Sequence, residues 1–413
     1  MPTCGSRSGQ DRSMRILIYS HDTFGMGNIR RMLAISRGLL DGLPEISILL
    51  LTGSPVIHTL CANGRERMDY IKLPCLTRTD RGVYRARYLD TDVEELSRLR
   101  ADLILAAARH FAPDLLMVDK KPLGVRGELE PALRYLRTER PKARTMLILR
   151  DILDRPEAII SNWSRHGHNE SLRQDYDRIL ILGQREIFDP VVEYRFPEEA
   201  AARTRFCGFL RKEAEAGWPG RASRLRESLG LDVTGEQQMM LVTPGGGEDG
   251  FKVIETALLA LAHRPQPKLQ TIVVGGPEMP GAQREVLRRM AASIPNTRFL
   301  DFSNDLLGLM AAADLVVSMG GYNTICEIIS LRRRAIVIPR VRPTEEQLIR
   351  MERLAPLNCF RVLHPDRLTI ELMAEAIERQ LAATIDATTW ARLDLEAQSV
   401  INAEVEALLD YGK

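Results

Sequence analysis

Short apolar runs that end at glycine or a polar residue, each followed by a longer amphipathic stretch, recur along the whole chain. In the first half they are RILIYS (15–20), ISILLLTG (46–53), DLLMVD (114–119), TMLILR (145–150) and RILILG (178–183). Near-continuous apolar runs mark strands covered on both faces, and their alternation with helical stretches predicts a parallel sheet between two helical layers. After TRFCGFL (204–210) the alternation pauses in KEAEAGWPGRAS, where two glycines and a proline stand among charges. It restarts with QMMLVT (238–243), LQTIVV (269–274), TRFLDF (297–302), DLVVSM (314–319), AIVIP (335–339) and CFRVLHP (359–365). The pattern predicts the α/β class, with two successive Rossmann-like domains at 14–214 and 237–385. A polar tail, 1–13, precedes them, and a linker with an entry helix, 215–236, joins them. From 369 to 409 the helical pattern runs on without a strand, so a C-terminal helix within 386–413 is expected to pack across the domains.

One stretch, SMGGYNTICEIISLRRRAIVIPR (318–340), shows how such a unit carries chemistry. A strand leaves through two glycines into a helix that Asn323 or Thr324 can cap, with Ile325, Ile328 and Ile329 spaced to face the sheet. Thr324 and Glu327, three apart, share another face, with Glu327 expected in the helix's first turn near its positive end. This polar pair stands above the C-terminal edge of a sheet, where open α/β folds bind ligands.

Composition narrows the function classes. With 45% hydrophobic and 27% charged residues over 413 positions, the chain reads as an ordinary globular protein long enough for two domains. Lys plus Arg total 57 against 55 acidic residues, a formal charge of +2, which argues against a dedicated nucleic-acid binder. The six cysteines form no CxxC pair or regular framework, so free thiols in a reducing cytoplasm and no structural zinc are expected. The first residues lack an apolar signal core and no run approaches about 18 apolar residues, so neither secretion by that route nor a membrane span is expected.

Each domain opens with a strand followed by glycines, HDTFGMGNIRR (21–31) and TPGGGEDG (243–250). Glycine lets backbone approach a ligand closely, and helix N-terminal N–H groups favour an anion such as a diphosphate. Neither loop is a P-loop. Gly25 and Gly27 match the first two glycines of a dinucleotide fingerprint, but Arg30 replaces the third and no acid ends the second strand, which disfavours NAD and FAD.

The segment 299–354, FLDFSNDLLGLMAAADLVVSMGGYNTICEIISLRRRAIVIPRVRPTEEQLIRMERL, resembles the donor-binding region of family 28 glycosyltransferases, the group that contains the lipid II-forming N-acetylglucosaminyltransferase. The N-terminal half, with SHDTFGMGNIRR, VDKKPLGVRGELEPAL and LRDILD, is similar to a bacterial set of predicted glycosyltransferases within that group. The resemblance implies a GT-B architecture, with two Rossmann-like domains facing across a cleft and an NDP-sugar donor, a UDP-sugar above all, held mainly by the second. By position it assigns Glu327 to the donor ribose, Gly321 and Thr324 to the diphosphate, Ser303 to the base-contacting turn after Phe302, and Gln347 to the transferred sugar. Gly25, Gly27, Gly245 and Gly246 complete the implied donor set.

The same resemblance implies an inverting, metal-independent transferase without a cofactor, acting in the cytoplasm. Its acceptor hydroxyl is unknown and can be lipid-linked, which leaves peripheral contact with the inner membrane face open. Such a reaction needs a base for the acceptor proton and positive potential for the departing diphosphate. Where that family usually carries histidine after the second glycine, this chain has Asn28, whose amide is no base. The catalytic candidates are therefore Asp22, slightly favoured, and His21, with Asn28 orienting acceptor or phosphate. A nucleotide-sugar hydrolase or 2-epimerase on the same fold, or a non-catalytic nucleotide-sugar-binding protein, are the alternatives.

Acceptor-side candidates are Lys120, Lys121 and Asp151, at strand ends facing the cleft, and Arg85 within RTDRGVYRARYLD (78–90), where arginines interleave with Tyr84 and Tyr88. Arg30 and Arg31, in a helix's first turn, are unfavourable there unless an anion lies near. Asp90-Thr91-Asp92 is read as a helix cap, with Thr91 and Glu94 as a capping box, and not as a metal-binding DxD. His166-Gly167-His168 is read as surface loop.

Overall fold

The computed structural model describes residues 13–21, 27–61, 64–78, 83–212, 218–230, 237–384 and 387–410. The apolar runs become strands, most of them buried, while Thr297–Leu300, at the edge of the second sheet, is only partly buried. In β1 (Met14–Ser20) every side chain from Ile16 to Tyr19 is fully buried, because helices cover both faces of its sheet. It is joined by β2 (Ile46–Thr52), β3 (Met68–Lys72), β6 (Leu115–Asp119), β7 (Arg144–Arg150), β8 (Arg178–Leu182) and β9 (Thr204–Phe206). The order is β3-β2-β1-β6-β7-β8-β9, all parallel. Between them, β4 (Leu76–Arg78) and β5 (Tyr84–Ala86) form a small antiparallel hairpin.

The second sheet holds β10 (Gln238–Thr243), β11 (Leu269–Val274), β12 (Thr297–Leu300), β13 (Leu315–Ser318), β14 (Arg334–Val337) and β15 (Phe360–Val362). Its order is β12-β11-β10-β13-β14-β15, again all parallel. In each sheet the order reverses once, between β1 and β6 and between β10 and β13. Ligands of open α/β sheets bind at such switch points, outside the C-terminal strand ends.

The tail connects the two domains. Helix Ile370–Ala382 buries Met373 and Ile377 in the core of the second domain. Helix Ala397–Asp410 then returns to the first, where Gln398 and Asn402 donate to Ile35 O and Gly38 O and Glu404 pairs with Arg178 at 2.8 Å.

Local signals depart from the sequence reading in four places. Strand β3 is a half-exposed edge and the β4–β5 hairpin lies in a polar stretch, so neither has the apolar run that reveals the others. Helix Tyr322–Leu331 starts before Asn323 and Thr324, with Gly321 as N-cap and no side-chain cap, which moves Glu327 to the second turn. The cap of helix Val93–Phe111 is Asp92, whose side chain accepts from Glu94 N, while Thr91 bonds Glu95. His168 is buried at the start of helix His168–Gln174, where burial and the charges of Lys121 and His166 pull its pKa down to about 4, so only His166 is surface.

Candidate functional site

The C-terminal edges of both sheets line one cleft with a cavity volume of about 400 Å³, and its walls are built mainly by loops at the two switch points.

The second-domain wall is made of glycine. After β10 the chain turns through Gly245, Gly246 and Gly247, and the first and last have φ of 83° and 102°, which side-chain-bearing residues rarely adopt. A Cβ on Gly247 would come within 2.5 Å of Gly275 O, so this turn packs directly on the Gly275-Gly276 turn that follows β11. Opposite it begins helix Tyr322–Leu331, whose first N–H groups have no intrahelical partner and favour an anion. Thr324 Oγ1 lies within 3.5 Å of where a Cβ of Gly245 would be, so the glycine turn and the helix end close on one small space.

One turn further, Glu327 lines the same wall, half-buried and without a hydrogen-bond partner among the described residues. Burial raises its pKa, against the pull of the Lys212 and Arg30 charges. Ile325, Ile328 and Ile329 are buried on the opposite face, as their spacing predicts. Gln347 lines the cleft with Oε1 accepting from Arg340 N at 3.0 Å. Ser303 Oγ accepts from Asp305 N at 3.1 Å, leaving the half-exposed Phe302 ring as the apolar element of that turn.

The first-domain wall is basic. His21, directly after β1, is 3% exposed, lines the cleft, and has Nδ1 unpaired among the described residues. Burial, then the charges of Lys121, Lys120, Arg100 and Arg150, drive its pKa well below the usual histidine value, so the ring is neutral near pH 7. Asn28 donates to His21 O, and its Oδ1 accepts from Arg31 at 3.1 Å. Arg31 is 1% exposed and pairs with Asp119 at 2.6 Å, so this helix cation is already compensated within the domain. Asn28 therefore fixes the backbone of His21.

The two walls are tied together beside the cleft. Asp151 does not line it: both carboxylate oxygens accept from the fully buried Arg350, at 2.6 and 2.7 Å, across the domain boundary. Next to it Arg150 pairs with Glu346, and Glu345 N donates to Asp154 at 2.9 Å. Asn323 also donates to Gly27 O at 2.8 Å. Burial pushes the Glu346 pKa up, but Arg150, Arg350, Lys120 and Arg340 outweigh it and hold it at about 2.

Of the residues read from sequence, the cleft thus gathers His21, Gly27, Asn28, Lys120, Gly245, Gly246, Ser303, Gly321, Thr324, Glu327 and Gln347. Asp22 and Gly25 lie outside the described residues, and Arg85 is exposed on the hairpin away from the lining. Lys121, read with Lys120 at the sheet edge, and Tyr84, read within the 78–90 stretch, line the cleft as well, while sequence reasoning missed Arg150, Gly276, Arg340 and Glu346. Gly276 carried the same strand-then-glycine signal as the other loops, and Arg150 and Arg340 stand close after apolar runs.

Two Rossmann-like domains sharing a cleft at their C-terminal sheet edges define the GT-B fold. Residues 240–391 match the glycosyltransferase family 28 C-terminal domain, so the second domain has the family resemblance read from its motifs. Over 142 residues the chain is 22% identical to the UDP-N-acetylglucosamine--N-acetylmuramyl-(pentapeptide) pyrophosphoryl-undecaprenol N-acetylglucosamine transferase of Haemophilus influenzae (strain PittEE), covering 34% of this chain and 40% of that one. The chain thus spans less than half the length of this curated relative. Among solved structures, MurG of Acinetobacter baumannii superposes with a TM-score of 0.62 at 12% identity, covering 95% of this chain and 99% of that one. The UDP-GlcNAc 2-epimerase of Neisseria meningitidis, bound to UDP-GlcNAc, superposes at 0.60 with 13% identity, covering 96% and 100%. At such identities the likeness is one of fold.

Proposed function

We propose that the protein transfers a sugar from a nucleoside diphosphate donor, a UDP-sugar, to an acceptor hydroxyl, with inversion and without a metal. The observation that carries this reading is the second-domain wall, where glycine turns and a helix N-terminus face one space and a carboxylate unpaired among the described residues, Glu327, lies one turn on. The turns and the helix end suit a diphosphate, and the carboxylate suits the vicinal hydroxyls of a ribose. The candidate bases are neutral His21, in the first-domain wall, and Asp22, the next residue in the sequence and outside the described residues. Among the described helices none is long and apolar enough to cross a membrane, which accords with a cytoplasmic enzyme able to touch the inner membrane face.

UDP is expected to raise the thermal unfolding midpoint, because a ligand of the native state stabilises by mass action, and the shift is expected to persist in EDTA. Loss of the shift in chelator removes metal independence, and a larger shift with NAD removes the donor assignment. Glu327→Ala is expected to weaken UDP binding about tenfold to a hundredfold, the loss of charge-assisted hydrogen bonds, at an unchanged melting temperature without ligand. Unchanged affinity in the folded variant returns Glu327 to a structural role. Because the 2-epimerase likeness spans the whole fold, UDP release from UDP-GlcNAc without acceptor is the observation that would favour epimerase or hydrolase chemistry.

A further inference from the structure

The first switch point sets side by side the ends of two paired strands. Tyr19 of β1 lies opposite Val118 of β6, so two residues further on His21 and Lys120 leave the sheet as neighbours. Lys120 N still bonds Ile148 O, after which the chain turns sharply, with Lys120 at φ 68° and Lys121 N on Asp119 O. A left-handed backbone is uncommon for lysine and here aims consecutive ammonium groups into the cleft.

Charge balance at this wall is incomplete. Arg31 is met by Asp119, Arg100 by Glu128, Arg350 by Asp151, and Arg150 and Arg340 share Glu346. Lys121 Nζ donates to the Tyr84 hydroxyl at 2.9 Å, a neutral partner, and Lys120 Nζ has no partner among the described residues. Glu346 and Asp119 act on Lys120 but are already paired with arginines, so keeping both lysines charged in the cleft is costly unless a ligand brings further counter-charge. Burial, then Arg150 and Lys121, pull the Lys120 pKa down to about 7, the strain that an incoming anion would relieve.

We propose that Lys120 and Lys121, with the Tyr84 hydroxyl, form a subsite for an anionic group carried by the acceptor close to its reacting hydroxyl. The inference rests on the transferase reading, and names the acceptor as a phosphorylated or carboxylated sugar. The lysines compensate that anion while its hydroxyl lies against His21, on the wall facing the donor helix. The anion in turn weakens the positive field on the ring. The charges acting on the ring are Lys121 and Lys120 from the β6 end, Arg100, which pairs with Glu128, and Arg150 from the β7 end, which pairs with Glu346 of the second domain.

The test is a thermal-shift titration of the full chain at fixed ionic strength with UDP saturating, so that phosphate probes do not report the donor site. The probes are glucose 6-phosphate, glucuronate and neutral glucose. One charged sugar is expected to stabilise well beyond glucose, and which one does so assigns phosphate or carboxylate. Lys120→Met/Lys121→Met is expected to weaken that probe on the order of tenfold and to leave the UDP shift in place. No preference over glucose, or an unchanged affinity in the double variant, overturns the subsite. Failure of UDP itself overturns the donor reading, and the charged-probe titration without UDP still decides the subsite. If the double variant does not fold, histidine NMR on the wild-type chain decides it. The resonance missing in His21→Gln is expected to titrate at higher pH with the charged sugar bound, and an unmoved midpoint overturns the proposal.

Discussion

Asp151→Asn is expected to lower the stability of the folded chain by about 3–5 kcal/mol, the cost of leaving a buried charge without its partner. Arg350 is fully buried, and among the described residues its guanidinium bonds, apart from Gly320 O at 2.9 Å, only the two Asp151 oxygens. An amide keeps the shape but loses the charge and offers one acceptor where two are used. Replacing both partners with apolar residues of similar size, Asp151→Leu with Arg350→Met, is expected to recover most of the loss, because desolvation of the ions is then avoided. The first urea transition measures this. A loss below about 1 kcal/mol in Asp151→Asn, within the ordinary range for an exposed pair, would show that water reaches the junction.

The same junction sets an acid limit. Glu346 has a folded pKa of about 2 against an ordinary value near 4.5, so its contribution is complete above about pH 5 and is lost as pH falls from there towards 2. Glu346→Gln is expected to flatten that loss in acid unfolding curves, since the variant has no carboxylate to protonate. An acid curve identical to wild type would place the acid sensitivity elsewhere.

What the sequence made legible follows from which physical signal each element carries. Doubly covered strands such as β1, β6 and β13 are long apolar runs because nothing on either face is wet, and the glycine turns that follow them mark close backbone packing, so both walls could be located in advance. The roles of Asp151, Arg31 and Asn28 could not. Asp151 follows a strand at the correct edge, as a ligand-binding residue would, yet its partner lies 199 positions later in the chain and only the docking of two domains brings them together. Arg31 finds its anion 88 positions away on the neighbouring strand. Lys120 and Lys121 could be placed at the edge from sequence, but that neither has an ion-pair partner among the described residues, while Arg31, Arg100, Arg150 and Arg350 do, is a property of the packed arrangement alone.

His21→Gln is expected to reduce kcat by about 10²–10⁴-fold with the true acceptor while leaving UDP stabilisation intact, the usual contribution of a positioned base. His21 is neutral where a base must be, and Asn28 holds its backbone at the cleft wall. The sign of the pH dependence follows. Catalysis fails when the ring is protonated, and its pKa lies well below 6.5 in the free protein, so the acid limb of kcat/KM is expected below pH 6.5, while Lys120, held at about 7, gains its charge for an anionic acceptor as pH falls through 7. The kcat profile reports the complex, in which an anion beside Lys120 and Lys121 compensates part of the positive field, so its acid limb is expected at higher pH than that of kcat/KM. Lys121→Met removes the charge that lowers the ring pKa most after burial itself, and is expected to move the kcat/KM limb upward. Asp22→Asn is the necessary companion, since Asp22 is the other candidate base. If that variant loses turnover while His21→Gln keeps near-wild-type kcat, the carboxylate is the base and His21 a wall residue. A kcat/KM limb at pH 6.5 or above in the wild-type chain would likewise show that the cations do not act on the ring as their placement requires.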